Sequence, residues 1–225
     1  MPASNAFTWS YSALKNYETC PNRYYHYQVL KDVSEPQSDE LKSGYALHTA
    51  FEHRVKSGRP LPVGMAKFEP MLATYVAAPG TTYAEQKLAL TSEFRPTTYF
   101  APDVWFRTVI DTAKIRADQG FALILDWKTG KPKADLTQLD LMAATTFLHD
   151  PAVHTIKASL AFVGYATSDW ESERYQRADL RRIWGEVLPR VAALKAARTL
   201  NDFPPKPGGL CRKYCAVKSC PHHGR

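Results

Sequence analysis

The chain has 225 residues, 44% of them hydrophobic, enough for one sizeable core without the covalent staples of a small secreted domain. No run reaches the roughly 18 apolar residues a membrane span needs, and the first apolar stretch, broken by Lys15 and Glu18, does not read as a secretory leader, so a cytoplasmic setting is expected. Lys and Arg outnumber Asp and Glu by 29 to 22, a formal charge of +7, carried in segments such as Arg174–Arg182, Lys195–Arg198 and Lys206–Lys218; this favours a polyanionic partner over a membrane, although a merely solvated basic surface accounts for it about equally well.

The order of predicted elements is helical, then strand-rich, then helical. Ser10 can cap a helix that runs to Cys20, and Pro21 fits the first turn of a short second one. Residues 44–56 form a third, with Leu47, Phe51 and Val55 stacked at four-residue intervals. The stretch 58–80, punctuated by Pro and Gly, reads as loop with room for one short helix. Residues 83–90, 104–115 and 121–128 have strand character, and Ala117-Asp118-Gln119-Gly120 supplies the turn between the last two. A helix over 135–148, a strand over 156–165 and a long basic helix over 179–200, bent or interrupted at Pro189, complete the chain. The expected architecture is α+β, a mixed central sheet flanked by helices, with residues 1–225 as a single domain.

The cysteines stand apart from this pattern. Cys20 is near the start, whereas Cys211, Cys215 and Cys220 lie within the last fifteen residues. An even number of thiols in a cytosolic chain points to metal before disulfides, and soft thiolates favour an iron–sulfur cluster or zinc. Such a site would clasp residues 1–31 to residues 201–225. Zinc could recruit His222 or His223 in place of Cys20.

The chemistry concentrates on the central hairpin. In Phe121-Ala-Leu-Ile-Leu-Asp-Trp-Lys128, Ala122, Ile124, Asp126 and Lys128 share one face and Phe121, Leu123, Leu125 and Trp127 the other. Asp and Lys emerging together from an apolar strand are costly unless paired or put to use, and a structural ion pair is the plain alternative. The preceding strand ends an apolar run at Asp111, which can lie beside Asp126, and Glu85 is a third acidic candidate. Clustered carboxylates raise one another's pKa unless a cation compensates, and hard oxygen donors suit Mg²⁺ or Mn²⁺. Tyr17, Tyr24, Tyr25 and Tyr27, interleaved with Arg23, His26 and Lys31, could stack bases, but read first as packed helices.

Asp111 followed by Asp126-Trp127-Lys128-Thr129-Gly130 resembles the D…(D/E)-x-K core of the PD-(D/E)XK nuclease superfamily. Gly44-Tyr-Ala-Leu-His48 resembles the histidine motif of its RecB-like branch. The segment from Tyr11 to Pro21, and Phe203-Pro-Pro205 with Cys211, Cys215 and Cys220, resemble the opening and closing segments of its iron–sulfur members, which occur in helicase–nucleases, CRISPR-adaptation nucleases and phage exonucleases. Ile110 stands where the superfamily name has proline, Met142 where the usual helix motif Q-x3-Y has tyrosine, and the cysteine gaps of three and four differ from the commoner two and five.

The resemblance implies a restriction-endonuclease-like fold and a DNA exonuclease of recombination or repair, in a bacterial cell or phage-infected host, with a recombination partner such as a single-strand annealing protein or helicase. A structure-specific endonuclease, or a DNA-binding protein without turnover, are the alternatives. It implies Mg²⁺ or Mn²⁺ at His48, Asp111, Asp126 and the Trp127 carbonyl, with Glu85 as a further metal or water ligand, Lys128 beside the attacking water and Gln138 positioning the site. It also favours a 4Fe–4S cluster over Zn²⁺ at Cys20, Cys211, Cys215 and Cys220. Arg177, Arg181 and Arg182 are expected to meet phosphates.

Overall fold

The computed structural model describes residues 7–34, 38–131, 135–164 and 170–225. Two compact units emerge where the sequence suggested one domain: Asp39–Ile183 with the residues up to Thr8, and Trp9–Ser38 with Trp184–Arg225. The second unit therefore extends well beyond the expected clasp of residues 1–31 and 201–225.

The first unit is built on a six-stranded sheet in the order β2-β1-β3-β4-β5-β6: β1 Thr81–Leu90, β2 Pro96–Thr97, β3 Phe106–Arg116, β4 Phe121–Lys128, β5 Thr155–Phe162 and β6 Glu171–Gln176. Only β4 and β5 run parallel, so the sheet is mixed as expected. The β3–β4 turn closes at Gly120, whose φ of +61° and close approach to His154 (2.9 Å from a notional Cβ) exclude a side chain. Strand β6 was not anticipated: only Tyr175 of Glu-Ser-Glu-Arg-Tyr-Gln is buried, as suits a charged edge strand. The predicted strand end at residue 165 lies outside the described residues.

Helix α3 (Asp39–Ser57) packs against β1 and β3, and α5 (Thr137–His149) against β1, β3 and β5. The stripe predicted on α3 is its buried face: Leu47 and Phe51 join Leu125, Trp127 and Ala161 of the sheet and Leu72 and Tyr75 of α4 (Glu69–Ala77). Phe51 meets the Trp127 ring edge-on at 5.1 Å. Lys114, only 3% exposed, donates from Nζ to Val76 O (3.0 Å) and Ala78 O (2.6 Å), satisfying carbonyls at the end of α4. No described helix is long and apolar enough to cross a membrane.

The second unit holds α1 (Tyr11–Thr19), α2 (Pro21–Tyr24) running into a wider helical turn over Tyr25–Leu30, most of α6 (Leu180–Leu200) and α7 (Leu210–Lys213). Ser10 caps α1 by accepting from Ala13 N at 3.3 Å, and α6 continues through Pro189. The N-terminal tyrosines are packing residues here. Tyr25 stacks on Phe203 (4.7 Å), Tyr24 lies at 6.0 Å from the same ring, Tyr17 meets Tyr24 edge-on, and Arg23 covers Tyr27. Arg190 grips Glu18 through two bonds of 2.6 and 2.9 Å.

Candidate active site

The site grows from a fork in the sheet. Strands β3 and β4 pair from Arg116↔Phe121 to Thr112↔Leu125 and then part, while β4 stays with β5 as far as Lys128↔Phe162. Asp111, the next residue of β3, fills the gap with its side chain: Oδ2 accepts from Trp127 N at 2.8 Å, taking the place of a ladder rung. The Trp127 indole is fixed below by its Nε1 bond to Thr112 Oγ1 at 3.0 Å. Because N–H and C=O of one strand residue project the same way, the Trp127 carbonyl leaves on the side of Asp111.

On the other flank of β3, β1 pairs at Ala84↔Thr112 and Gln86↔Ile110 but not at Glu85, which stands opposite Asp111 with φ +50°. Left-handed backbone costs about 1–2 kcal/mol for a residue with a Cβ, and such strain concentrates at functional positions. Here it accompanies a ligand set: donor atoms of His48, Glu85 and Asp111 all lie within 4.8 Å of one another. An ion at about 2.0–2.6 Å from each donor fits that spacing, and one imidazole with two carboxylates suits Mn²⁺ or Mg²⁺. The surrounding cleft, about 580 Å³, is also lined by Tyr45, Glu52, Lys128 and Thr129. Sequence reasoning passed over Glu52, although its place four residues after His48 puts both on one face of α3.

Asp126 and Lys128 lie on the opposite face from Trp127, as the alternation required, and Gln138 of α5 joins them. Gln138 Nε2 donates to Asp126 Oδ1 at 2.7 Å and Lys128 Nζ donates to Gln138 Oε1 at 2.9 Å. Lys128 Nζ also forms a short ion pair with Asp126 Oδ2, at 2.5 Å. Asp126 stands outside the mutual grouping of His48, Glu85 and Asp111, so of the expected donors Glu85 joins His48 and Asp111 while Asp126 is held apart.

Burial pushes Asp126 up to about 6, with Asp111 adding to the rise and Lys128 opposing it. Burial likewise raises Glu85, helped by Asp111 and Glu52. His48 is raised chiefly by its hydrogen bond to Asp111, with Nδ1 and Oδ2 3.2 Å apart. An imidazole must be neutral to ligate, so a cation competes with this proton. Mn²⁺ affinity is expected to rise with pH through and above 6.5, the ordinary imidazole value, with protons released on binding. Calorimetry in buffers of different ionisation enthalpy measures that release, and His48→Asn should flatten the dependence.

The arginines separate. Arg177 donates to the carbonyls of Phe147 (2.7 Å), Asp150 (2.9 Å), Pro151 (3.2 Å) and Val153 (2.5 Å), closing the end of α5, rather than facing solvent as a phosphate contact would. Arg182 lies 3.7 Å from both Asp140 and Asp179. Arg181 is exposed. Arg177→Ala is expected to cost about 3 kcal/mol of stability, since it orphans several carbonyls, and to leave the salt dependence of DNA binding unchanged; denaturant melts and a salt titration check both.

All four cysteines are half-buried free thiols in the second unit. Cys20 Sγ accepts from Lys206 N and Cys211 Sγ from Gly208 N, each at 3.4 Å. The expected four-thiolate centre is not assembled: among the described residues no three cysteine sulfurs, with or without His222 or His223, come within 4.8 Å of one another. Tetrahedral zinc needs sulfurs about 3.8 Å apart, so these side chains do not fit a single zinc ion as they stand.

From residue 8 to residue 221 the sequence matches the PD-(D/E)XK nuclease superfamily, and the chain belongs to that superfamily. The mixed sheet with flanking helices agrees with its restriction-endonuclease-like fold, and membership implies a metal-dependent nuclease. No curated protein matches the chain. Among solved structures, the crystal structure of SSO0001 is 10% identical, with 97% of this chain and 88% of that one covered, and a TM-score of 0.39, too distant a likeness to add to the assignment.

Proposed function

We propose that the chain is a Mg²⁺- or Mn²⁺-dependent deoxyribonuclease, an exonuclease of recombination or repair belonging to the RecB-like branch. The observation that carries the catalytic part is the meeting, in one cleft, of the His48, Glu85 and Asp111 donors with the cleft-lining, one-third-exposed Lys128. A divalent cation held there supplies charge neutralisation at the phosphate and a water of lowered pKa. Asp126 and the Trp127 carbonyl would be its further holders from β4. Lys128 Nζ orients the attacking water and offsets the negative charge that grows on the phosphate oxygens, while Gln138 fixes the ammonium against Asp126. The family match and the net charge of +7 support DNA as substrate.

The test is a time course with Mn²⁺ or Mg²⁺ on end-labelled linear DNA beside covalently closed circles. Cleavage of the linear form alone is expected. Cutting of circles would make the enzyme an endonuclease, and absence of cleavage on single- and double-stranded DNA would reject the enzymatic reading.

The cysteines are proposed to hold a 4Fe–4S cluster, a reading supported by a donor set of four thiols in one unit, two of them accepting backbone N–H groups. Anaerobically purified protein is then expected to be brown, with iron and sulfide in near-equal amounts. Cys20→Ser should lower the melting temperature, because cofactor binding contributes to folding directly. Colourless protein with stoichiometric zinc would reject the cluster.

A further inference from the structure

Beyond the cleft lies a second concentration of side chains that cleavage does not use. Val109, which lines the cleft with Glu85 and Asp111, stands opposite Lys87 in the β1–β3 pairing, and Arg107 stands opposite Ala89. Lys87 and Arg107 flank the Tyr99–Phe100 pair of the loop between β2 and β3. Lys87 Nζ is 5.8 Å from both rings and the Arg107 guanidinium 5.2 Å from that of Tyr99, with the two rings edge-on at 5.0 Å.

A single exposed apolar side chain needs no explanation. Phe100 differs: it is 78% exposed and adjoins the Tyr99 ring, and the pair of rings lies beside two cations, Lys87 near both and Arg107 over Tyr99, for which no carboxylate partner is present among the described residues. Its loop is also tied down, through Thr97 Oγ1 to Asp103 Oδ1 (3.1 Å), Ala101 N to Thr98 O (3.0 Å) and Trp105 N to Leu90 O (2.9 Å), so the rings stand on a preorganised support. Rings that offer a π-face beside unpaired cations match the chemistry of an unpaired polynucleotide, whose bases stack and whose phosphates need countercharge. A duplex keeps its bases stacked internally and would use the cations alone.

We propose that Tyr99 and Phe100, with Lys87 and Arg107, form a base-stacking platform for single-stranded DNA and deliver that strand to the cleft. Lys87 lies two residues from Glu85, about 7 Å along β1, so a strand held here reaches the carboxylates without leaving the sheet. This rests on the nucleolytic reading for its direction, and its binding half can be tested apart from cleavage.

Fluorescence anisotropy with labelled oligo-dT and a blunt hairpin duplex, in EDTA so that no turnover occurs, is the experiment. Phe100→Ala is expected to weaken oligo-dT binding about tenfold and duplex binding less than twofold, with Phe100→Trp restoring the single-strand affinity. Lys87→Ala should lower the slope of log affinity against log salt by about 0.7. Thermal melts confirm folding, which the exposed position of Phe100 leaves intact. Unchanged oligo-dT affinity in Phe100→Ala, equal losses on both DNAs, or no binding of oligo-dT by the unaltered protein would each overturn the platform. Phe100-dependent binding by a protein that never cleaves on addition of Mn²⁺ would uphold the platform and reject the nuclease reading.

Discussion

Asp126→Asn is expected to abolish metal-dependent cleavage while making the metal-free protein more stable at neutral pH. The carboxyl is almost wholly buried and its pKa is pushed up to about 6, first by burial. The folded value thus exceeds that of an ordinary exposed carboxylate, so the fold binds this proton more tightly than the open chain does. Stability from that preference is present in full below the unfolded value and is lost as pH rises through about 6. Asparagine removes this burial penalty, which outweighs the attraction to Lys128, and the melting temperature at neutral pH is expected to rise. Melts in EDTA at pH 7.5 and pH 4 check it: the gain should be seen at the first and vanish at the second. A melting temperature that falls at pH 7.5 would mean that the ion pair outweighs the desolvation. Addition of Mn²⁺ should stabilise the unaltered protein more than the variant, because binding to the folded state alone raises stability.

The second large effect falls on Lys128. Its ammonium is held by Gln138 Oε1 at 2.9 Å and lies 2.5 Å from Asp126 Oδ2, with a third of the side chain open to the cleft. Lys128→Met keeps the length of the stem and deletes the charge and its donors. Such a loss is expected to lower kcat by about 10²–10⁴-fold. DNA affinity in EDTA should change little. Gln138→Ala removes only the support and is expected to cost about 10–100-fold, the scale of orienting partners. Single-turnover rates at saturating Mn²⁺ separate these effects from metal binding. A Lys128→Met enzyme within threefold of the unaltered rate would remove Lys128 from the mechanism.

The sequence disclosed elements whose pattern is local. Strand β4 was placed at its observed ends, Phe121 and Lys128, because apolar alternation and flanking turn residues both act within eight residues. The stripe on α3 and the pairing of Asp126 with Lys128 were legible for the same reason. What escaped depends on partners distant in the chain. Glu85 was legible as a candidate carboxylate, but its left-handed backbone opposite Asp111 was not, since no propensity favours that conformation for glutamate. Arg177 looked like a surface cation until its guanidinium was found among four carbonyls near the end of α5. Strand β6 carries one buried residue and therefore no alternation to detect. The joining of the two chain ends was legible from the cysteines, but not that the second unit also takes in the chain from Trp184 onward. The cysteines mark the limit of spacing arguments: four thiols in one unit do not by themselves bring their sulfurs within reach of a single metal ion.

The parting of β3 from β4 bears on how inactive variants are interpreted. Since the Asp111 carboxylate stands in for a rung between two strands, it is a structural joint as well as a metal donor. Asp111→Ala would empty a ligand position and leave the Trp127 amide without its acceptor, loosening the sheet beside Asp126 and Lys128. A dead Asp111→Ala protein would therefore report on sheet integrity and chemistry together. Asp126 accepts only from side chains, so its replacement separates the two, and it is the residue on which a catalytic knock-out should be built.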